Sequence, residues 1–251
     1  MQTIVYAVIA AVILAALMAL AYKPVRKYRV IVYVVTALVE AYFILPNALG
    51  YELFTSQRAI TSMFTMGILA EALFAVVAFT GCLPDKWKVT HRLKSIRAEL
   101  SVMGCIISIG EVLYFAPQFV SFINGELSLG REIATIATII LVVLMIPLML
   151  TSFYCVRANM NPRTWKKLQS TAYLFYFGLW LHIFGLYASL NGGLTDLFTG
   201  KHGEALICYT VLWGAYFIVR FIKYLVDRRN NLPANDQIIQ DDDDLVPTRR
   251  D

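Results

Sequence analysis

The sequence is poor in charged residues, which argues against a soluble fold. Of its 251 residues 16% are charged and 59% are hydrophobic, with a mean hydropathy of +0.63. These values lie far from those of a soluble domain. The sequence also lacks a phosphate loop, a dinucleotide-binding fingerprint and a nucleophile elbow, so the enzyme classes that depend on them are excluded. The four cysteines stand apart in sequence, without metal-ligand spacing: Cys82, Cys105, Cys155 and Cys208.

Apolar runs of about 20 residues, the length that crosses a bilayer as a helix, recur along the chain. We find seven: Thr3 to Tyr22, Val30 to Phe54, Ala59 to Leu83, Leu100 to Ile123, Ile133 to Val156, Leu168 to Leu190 and Ala205 to Val226. The sequence therefore predicts an all-α integral membrane protein with seven transmembrane helices. Three prolines are expected to kink these helices: Pro46, Pro117 and Pro147. After residue 229 the apolar pattern ends, and residues 230–251, with the acidic run Asp241 to Asp244, are predicted to form a disordered tail.

Lys and Arg are concentrated in alternate connections. Seventeen of the 22 basic residues fall within 23–29, 86–97, 157–167 and 220–229. Because cytoplasmic loops carry the excess of positive charge, we expect the N-terminus outside and the C-terminus in the cytoplasm of a cell-membrane protein. The net charge of +5 then reflects topology, and no nucleic-acid partner is implied. The first apolar run lacks a preceding basic region, so it is interpreted as a retained helix rather than a cleaved signal.

Four polar side chains interrupt the middle of these apolar runs: Glu40, Glu71, Glu111 and His182. A charged residue at mid-bilayer costs roughly 2.5–3.5 kcal/mol on insertion scales, so such residues usually serve a function. Counted from the predicted cytoplasmic helix ends, the four lie at similar depth, within about one helical turn. We therefore predict that they converge. Carboxylates and an imidazole suit a divalent transition metal, which would offset the cost of burial.

One further pattern runs through the fifth and sixth segments and their connection: Thr151-Ser152, Trp165-Lys-Lys-Leu168-Gln169, Tyr173 and His182. It resembles the ferric reductase-like transmembrane domain, most closely the haem-binding membrane subunit of the bacterial methionine sulfoxide reductase system. The stretch from Arg97 to Met103 is similar to that family's arginine-rich motif. The resemblance implies a six-helix bundle over residues 30–229, preceded by an additional helix and a basic loop in residues 1–29.

The resemblance also implies an axial ligand set, because family haems are held between histidines on facing helices. At the corresponding positions this chain has Glu111 and Gln169, and retains His182. We accordingly predict a membrane redox component, or an accessory subunit, in which a non-haem metal bound by Glu40, Glu71, Glu111 and His182 replaces the bis-histidine haem. The alternative is haem b on His182 alone. Electrons would come from a separate donor protein or a quinone.

Two non-redox interpretations remain open. In the first, the buried acids and His182 only hydrogen-bond neighbouring helices, and the bundle is a scaffold in a membrane complex. In the second, the carboxyl groups are stations on a proton or cation path. The sequence offers the second interpretation neither inverted repeats nor clearly interrupted helix pairs, the usual marks of transporters.

Overall fold

The computed structural model describes residues 13, 16–48, 58–84, 86–191, 197 and 202–229. Most of the first predicted helix and the whole predicted tail, residues 230–251, lie outside the described residues. The described part of the chain is helical and contains no strand. Its helices are α1 Tyr22–Lys27, α2 Arg29–Ala48, α3 Arg58–Thr65, α4 Ile68–Thr80, α5 Lys88–Ser95, α6 Arg97–Tyr114, α7 Ala116–Ile123, α8 Leu129–Leu150, α9 Tyr154–Arg157, α10 Pro162–Gln169, α11 Ala172–Leu190 and α12 Gly203–Arg229.

Four stretches of the described chain are long and apolar enough to cross a membrane. They are Arg29–Pro46, Leu129–Leu150, Pro162–Leu190 and Gly203–Arg229. A fifth arises if α6 and α7, which are bent by 53° relative to each other, count as one span. The predicted all-helical class is confirmed, whereas the count of seven spans and the ferric reductase-like bundle stay predictions.

Two of the predicted spans are interrupted. An unbroken helix from Ala59 to Leu83 is wrong, because the backbone breaks at Gly67 between α3 and the 13-residue α4. Gly67 has a φ of 64°, in the left-handed region that glycine tolerates and an α-helix cannot include. The span predicted from Leu100 to Ile123 breaks at Phe115, and Pro117 occupies the first turn of α7. Proline favours that position because its fixed φ and missing N–H suit a helix start.

Among the described helices, α8 and α11 share the most extensive contact. A Cβ at Gly185 would lie 2.6 Å from the backbone nitrogen of Ala134, and one at Gly130 would lie 2.6 Å from that of Ser189. Small residues thus recur four positions apart on both helices, the spacing that lets membrane helices approach closely. The predicted kink at Pro147 does not interrupt α8, which continues to Leu150.

Helix α6 packs against α2, α4 and α8, and so occupies the centre of the bundle. Leu100 and Ile107 on α6, Leu73 on α4 and Trp213 on α12 are each at most 2% exposed. Near the start of α6, Glu99 lies within electrostatic reach of Arg26, Arg29 and Arg157. Basic residues from connections predicted to share one side of the membrane therefore meet at one end of the bundle. From this position the side chains of α6 can contact α2 and α4 on one side and α8 on the other.

Candidate intramembrane glutamate and histidine site

Glu40 is fully enclosed between α2 and α6. Its side chain is 3% exposed and lies against Gly110, where a Cβ would come within 2.2 Å of Oε1. Neither carboxyl oxygen has a hydrogen-bond partner in the part of the chain that the structure describes. Because burying an unsatisfied polar group is costly, an acid kept in this state is a candidate functional group. Helix α2 continues through Pro46, so the kink predicted at this proline does not interrupt the helix.

Glu71 lies in the first turn of α4 and is held by α12. The indole Nε1 of Trp213 donates a hydrogen bond of 2.6 Å to Glu71 Oε1. Trp213 itself is 1% exposed and stacks on Tyr176, with ring centroids 5.5 Å apart. This short bond joins residues 142 positions apart and anchors the acid at the beginning of the half-helix α4.

Glu111 lies between the two helix breaks. Its carboxyl group packs directly on Gly67, since a Cβ at that position would be 2.1 Å from Oε2 and 2.5 Å from Cδ. Within one turn, its own backbone carbonyl accepts the N–H of Phe115, where α6 ends. The side chain therefore faces the start of α4, whose first-turn N–H groups carry the positive end of the helix dipole. Glu71 and Glu40 are ionisable groups within electrostatic reach of this carboxyl group.

Glu111 and His182 line the same cavity, which has a volume of about 80 Å³. Its other polar wall residues come from α6, α7 and α8. They are Ser108, Gln118, Thr135 and Thr138. Gln118 Nε2 donates to Thr135 Oγ1 at 2.9 Å, so the amide is fixed across the α7–α8 corner. Most of the cavity wall is apolar, but there is room beside these polar groups for a few water molecules, which could connect the acid to the imidazole.

The hydrogen bonds of His182 define its tautomer. The Thr138 hydroxyl donates its one hydrogen to the Ala134 carbonyl at 2.8 Å, and His182 Nδ1 lies 2.8 Å from the same hydroxyl and 3.2 Å from the same carbonyl. Since both of these partners can only accept from the ring, Nδ1 carries the hydrogen. The neutral imidazole then keeps a lone pair on Nε2, which leaves that nitrogen as its acceptor.

Gln169 belongs to a different part of the molecule. Its Nε2 donates to Thr151 Oγ1 at 3.2 Å, and Trp165 Nε1, one turn earlier on α10, donates to the Thr151 carbonyl at 3.3 Å. Three residues that carry the ferric reductase-like resemblance, Thr151, Trp165 and Gln169, are therefore in contact, and they connect α10 to the end of α8. Gln169 does not line the cavity with Glu111 and His182.

The described residues contain no group of three or more His, Cys, Asp and Glu side chains arranged to hold a metal ion. The three glutamates are neighbours, but Glu71 is bonded to Trp213 and Glu40 is packed on Gly110. The predicted metal and haem b remain predictions without support from these contacts.

Several residues of the site were not predicted from the sequence. Gly67 and Gly110 supply the surfaces on which Glu111 and Glu40 pack, and Thr138 orients His182. A glycine directly before Glu111 in the sequence was a visible sign of close packing. By contrast, no local pattern pairs Trp213 with Glu71, because the two are far apart in the chain.

The fold and the site together define a class of protein: an all-helical chain with several helices suited to span a membrane and a cluster of acids inside it. Large apolar side chains on the outer faces agree with this class. Val30 is 67% exposed, and Val143 and Val211 are 64% exposed. Hydrocarbon is the solvent in which such surfaces are stable.

Comparison with known proteins adds one relative. An uncharacterized protein of Treponema pallidum (strain Nichols) is 28% identical over 177 residues, which cover 68% of this chain and 47% of that protein. The chain thus spans about half the length of this relative. No family model and no solved structure matches the chain.

Proposed function

We propose that this chain is a membrane protein that moves protons across the bilayer, or couples their movement to other work, with Glu111 as the exchanging group. The observation that supports this function is the position of the Glu111 carboxyl group, which packs on the break at Gly67 and lies one turn before the bend between α6 and α7. Interrupted helices meeting at a buried ionisable side chain are the usual architecture of membrane transport sites. The sequence shows no clearly interrupted helix pairs, and this had counted against a proton or cation path.

The neighbouring groups suit a relay. Glu40 and Glu71 act on Glu111 electrostatically, so a proton bound to one acid changes the cost of a charge on the next. On the other side, the cavity leads from Glu111 to His182, whose Nε2 is the ring's acceptor. A proton leaving Glu111 would pass through cavity water to that nitrogen, and the Nδ1 hydrogen bonds would keep the ring oriented.

Flux through the reconstituted protein tests the proposal. Full-length protein is incorporated into liposomes containing a pH-sensitive dye, a pH gradient is imposed, and the membrane potential is clamped with potassium and valinomycin. We expect the wild type to dissipate the gradient faster than empty liposomes. Glu111→Gln, which keeps the shape but cannot release a proton, is expected to return the rate to that of empty liposomes.

Glu126→Gln is the matched control, because Glu126 is exposed in the turn between α7 and α8. This variant should keep the wild-type rate. A wild-type rate equal to that of empty liposomes, or an equal rate in Glu111→Gln, would refute a proton path. Sodium or potassium flux that depends on Glu111, without proton flux, would instead identify an alkali-cation path.

The redox role implied by the ferric reductase-like resemblance stays a prediction, as do its electron donor or quinone and its place in a membrane complex. The cytoplasmic location of the C-terminus likewise rests on the distribution of basic residues alone. An optical spectrum of the purified protein distinguishes the redox alternative, because a Soret band would restore the haem b interpretation.

A further inference from the structure

A cluster of cations surrounds the end of helix α4, away from the acid site. Arg220 Nη1 and Lys223 Nζ, both on α12, donate to the Gly81 carbonyl at 3.3 Å and 3.1 Å. Arg97, at the start of α6, also reaches Gly81, with Nη2 3.7 Å from where a Cβ would stand. Three positive side chains from two helices therefore converge on one residue just beyond the last turn of α4.

The two arginines of the cluster have neutral partners. Arg220 donates to the Gly81 carbonyl, at the negative end of the α4 dipole, and to the Tyr173 hydroxyl, and Arg97 lies beside the Tyr176 hydroxyl. Within the described ranges, neither Arg97 nor Arg220 forms an ion pair with a carboxylate. Since like charges in close proximity repel each other, the cluster is suited to an anion.

The depth of the cluster matches the level of lipid headgroups. Residues 205–219 of α12 carry no charge, and Arg220 is the first cation after them. At about 1.5 Å per residue, Arg220 and Lys223 lie about 26 and 30 Å from the beginning of that helix at Gly203. The hydrocarbon core of a bilayer is about 30 Å thick, so both side chains reach its boundary.

Apolar surface continues from the cluster along the outside of the bundle. On α12, Phe221 is 60% exposed and Ile222 53%, while on α11 Leu174 is 54% exposed and Phe177 47%. Arg220 bridges these helices through Tyr173, which is itself 40% exposed. An occupant with both a phosphate and long acyl chains would contact both surfaces, whereas free phosphate would use only the cations.

We infer that Arg97, Arg220 and Lys223 form a binding site for the phosphate of an anionic phospholipid, whose acyl chains lie along the exposed faces of α11 and α12. The site is independent of the proposed proton path, since it shares no residue with the glutamates or His182. Its role is to hold the ends of α4, α6 and α12 together at the membrane surface.

Native mass spectrometry of the full-length protein in dodecyl maltoside tests this site. The protein is titrated with dioleoyl phosphatidylglycerol, with dioleoyl phosphatidylcholine, or with inorganic phosphate. We expect saturable binding of one phosphatidylglycerol, with much weaker binding of the other two. Each basic residue near an anionic surface contributes about a factor of five, so Arg220→Gln with Lys223→Gln should weaken phosphatidylglycerol binding roughly 30-fold.

The matched control removes the same charge elsewhere on the helix. Arg228→Gln with Arg229→Gln alters two exposed arginines in the last turn of α12 and should leave the affinity near that of the wild type. Equal losses in the two double variants would overturn the proposal, because they would show a general effect of charge. Equal affinity for inorganic phosphate would overturn a lipid site in favour of an anion site, and equal affinity for phosphatidylcholine would overturn charge recognition.

Gel filtration checks that each variant is folded. If Arg220→Gln with Lys223→Gln does not fold, Arg97→Gln provides the same test, with an expected loss of roughly fivefold. The charge-preserving pair Arg220→Lys with Lys223→Arg should bind phosphatidylglycerol within a small factor of the wild type. Unchanged affinity in Arg97→Gln, or in the Arg220→Gln with Lys223→Gln variant, would refute the site.

Discussion

Replacing Gly67 by alanine tests the contact on which the acid site depends. The residue has a φ of 64°, which costs an L-amino acid about 1–2 kcal/mol. The new Cβ would also lie 2.1 Å from Glu111 Oε2 and 2.5 Å from Cδ, so the glutamate must move away. Overpacking of a dense interior costs about 1–3 kcal/mol. We therefore expect Gly67→Ala to lower the free energy of unfolding by about 2–5 kcal/mol, the sum of these two terms.

Gly125→Ala is the control for the backbone term. Gly125 has a φ of 70°, and a Cβ there would meet no atom within 4 Å. This variant should lose only the backbone contribution, about 1–2 kcal/mol. The difference between the two glycine variants, about 1–3 kcal/mol, then measures the contact with the Glu111 carboxyl group.

The assay is equilibrium unfolding of the purified protein in mixed micelles with increasing SDS, followed by tryptophan fluorescence and circular dichroism. A double-mutant cycle with Glu111→Ala completes the test. Once the carboxyl group is removed, Gly67→Ala should cost no more than Gly125→Ala, which gives a coupling energy of about 1–3 kcal/mol. Equal losses in the two glycine variants, or no coupling to Glu111, would refute the packing of the acid on the helix break.

Three other substitutions, with Gly214→Ala as a control for one of them, test the rest of the bundle by the same unfolding assay. Trp213→Phe removes the only hydrogen bond found for the Glu71 carboxyl group among the described residues and should cost about 1–3 kcal/mol, and an unchanged stability would contradict that bond. Glu40→Met removes two unsatisfied buried oxygens and should leave stability equal or raise it, so a marked loss would reveal a missing partner. Gly185→Ala should cost about 1–3 kcal/mol, because the new Cβ would reach the backbone of α8. Gly214→Ala is its control and should be neutral or slightly stabilising, because a Cβ there would meet no atom within 4 Å. A smaller cost at Gly185 than at Gly214 would be inconsistent with the close packing of α8 and α11.

The helical class and several membrane-crossing segments could be predicted because hydrophobic length is a local property of the sequence. Helices α8, α11 and α12 fall close to three of the predicted runs. The break at Gly67 could not be predicted in this way, since a single glycine within an apolar run is compatible with a continuous helix. Pro117 was expected to kink its helix, but the break lies at Phe115 and the angle of 53° between α6 and α7 is not encoded in any local pattern.

For the candidate site, too, the depth of a residue could be predicted from the sequence, whereas its side-chain partners could not. Similar depth in the membrane led to the prediction that Glu40, Glu71, Glu111 and His182 converge, because depth follows from counting residues along helices. Depth alone could not show which side chains bond to which, and so Trp213 was missed as the partner of Glu71. For the same reason a shared metal shell was predicted where the described residues form none.

Infrared difference spectroscopy decides whether Glu111 exchanges a proton. Membranes containing the full-length protein are cycled between acidic and alkaline buffer in H₂O and in D₂O, and the carbonyl stretch of protonated carboxylic acids is recorded. We predict a pH-dependent band that shifts in D₂O, is lost in Glu111→Gln and persists in Glu126→Gln. A band that remains unchanged in Glu111→Gln would contradict the assignment of Glu111 as the exchanging acid.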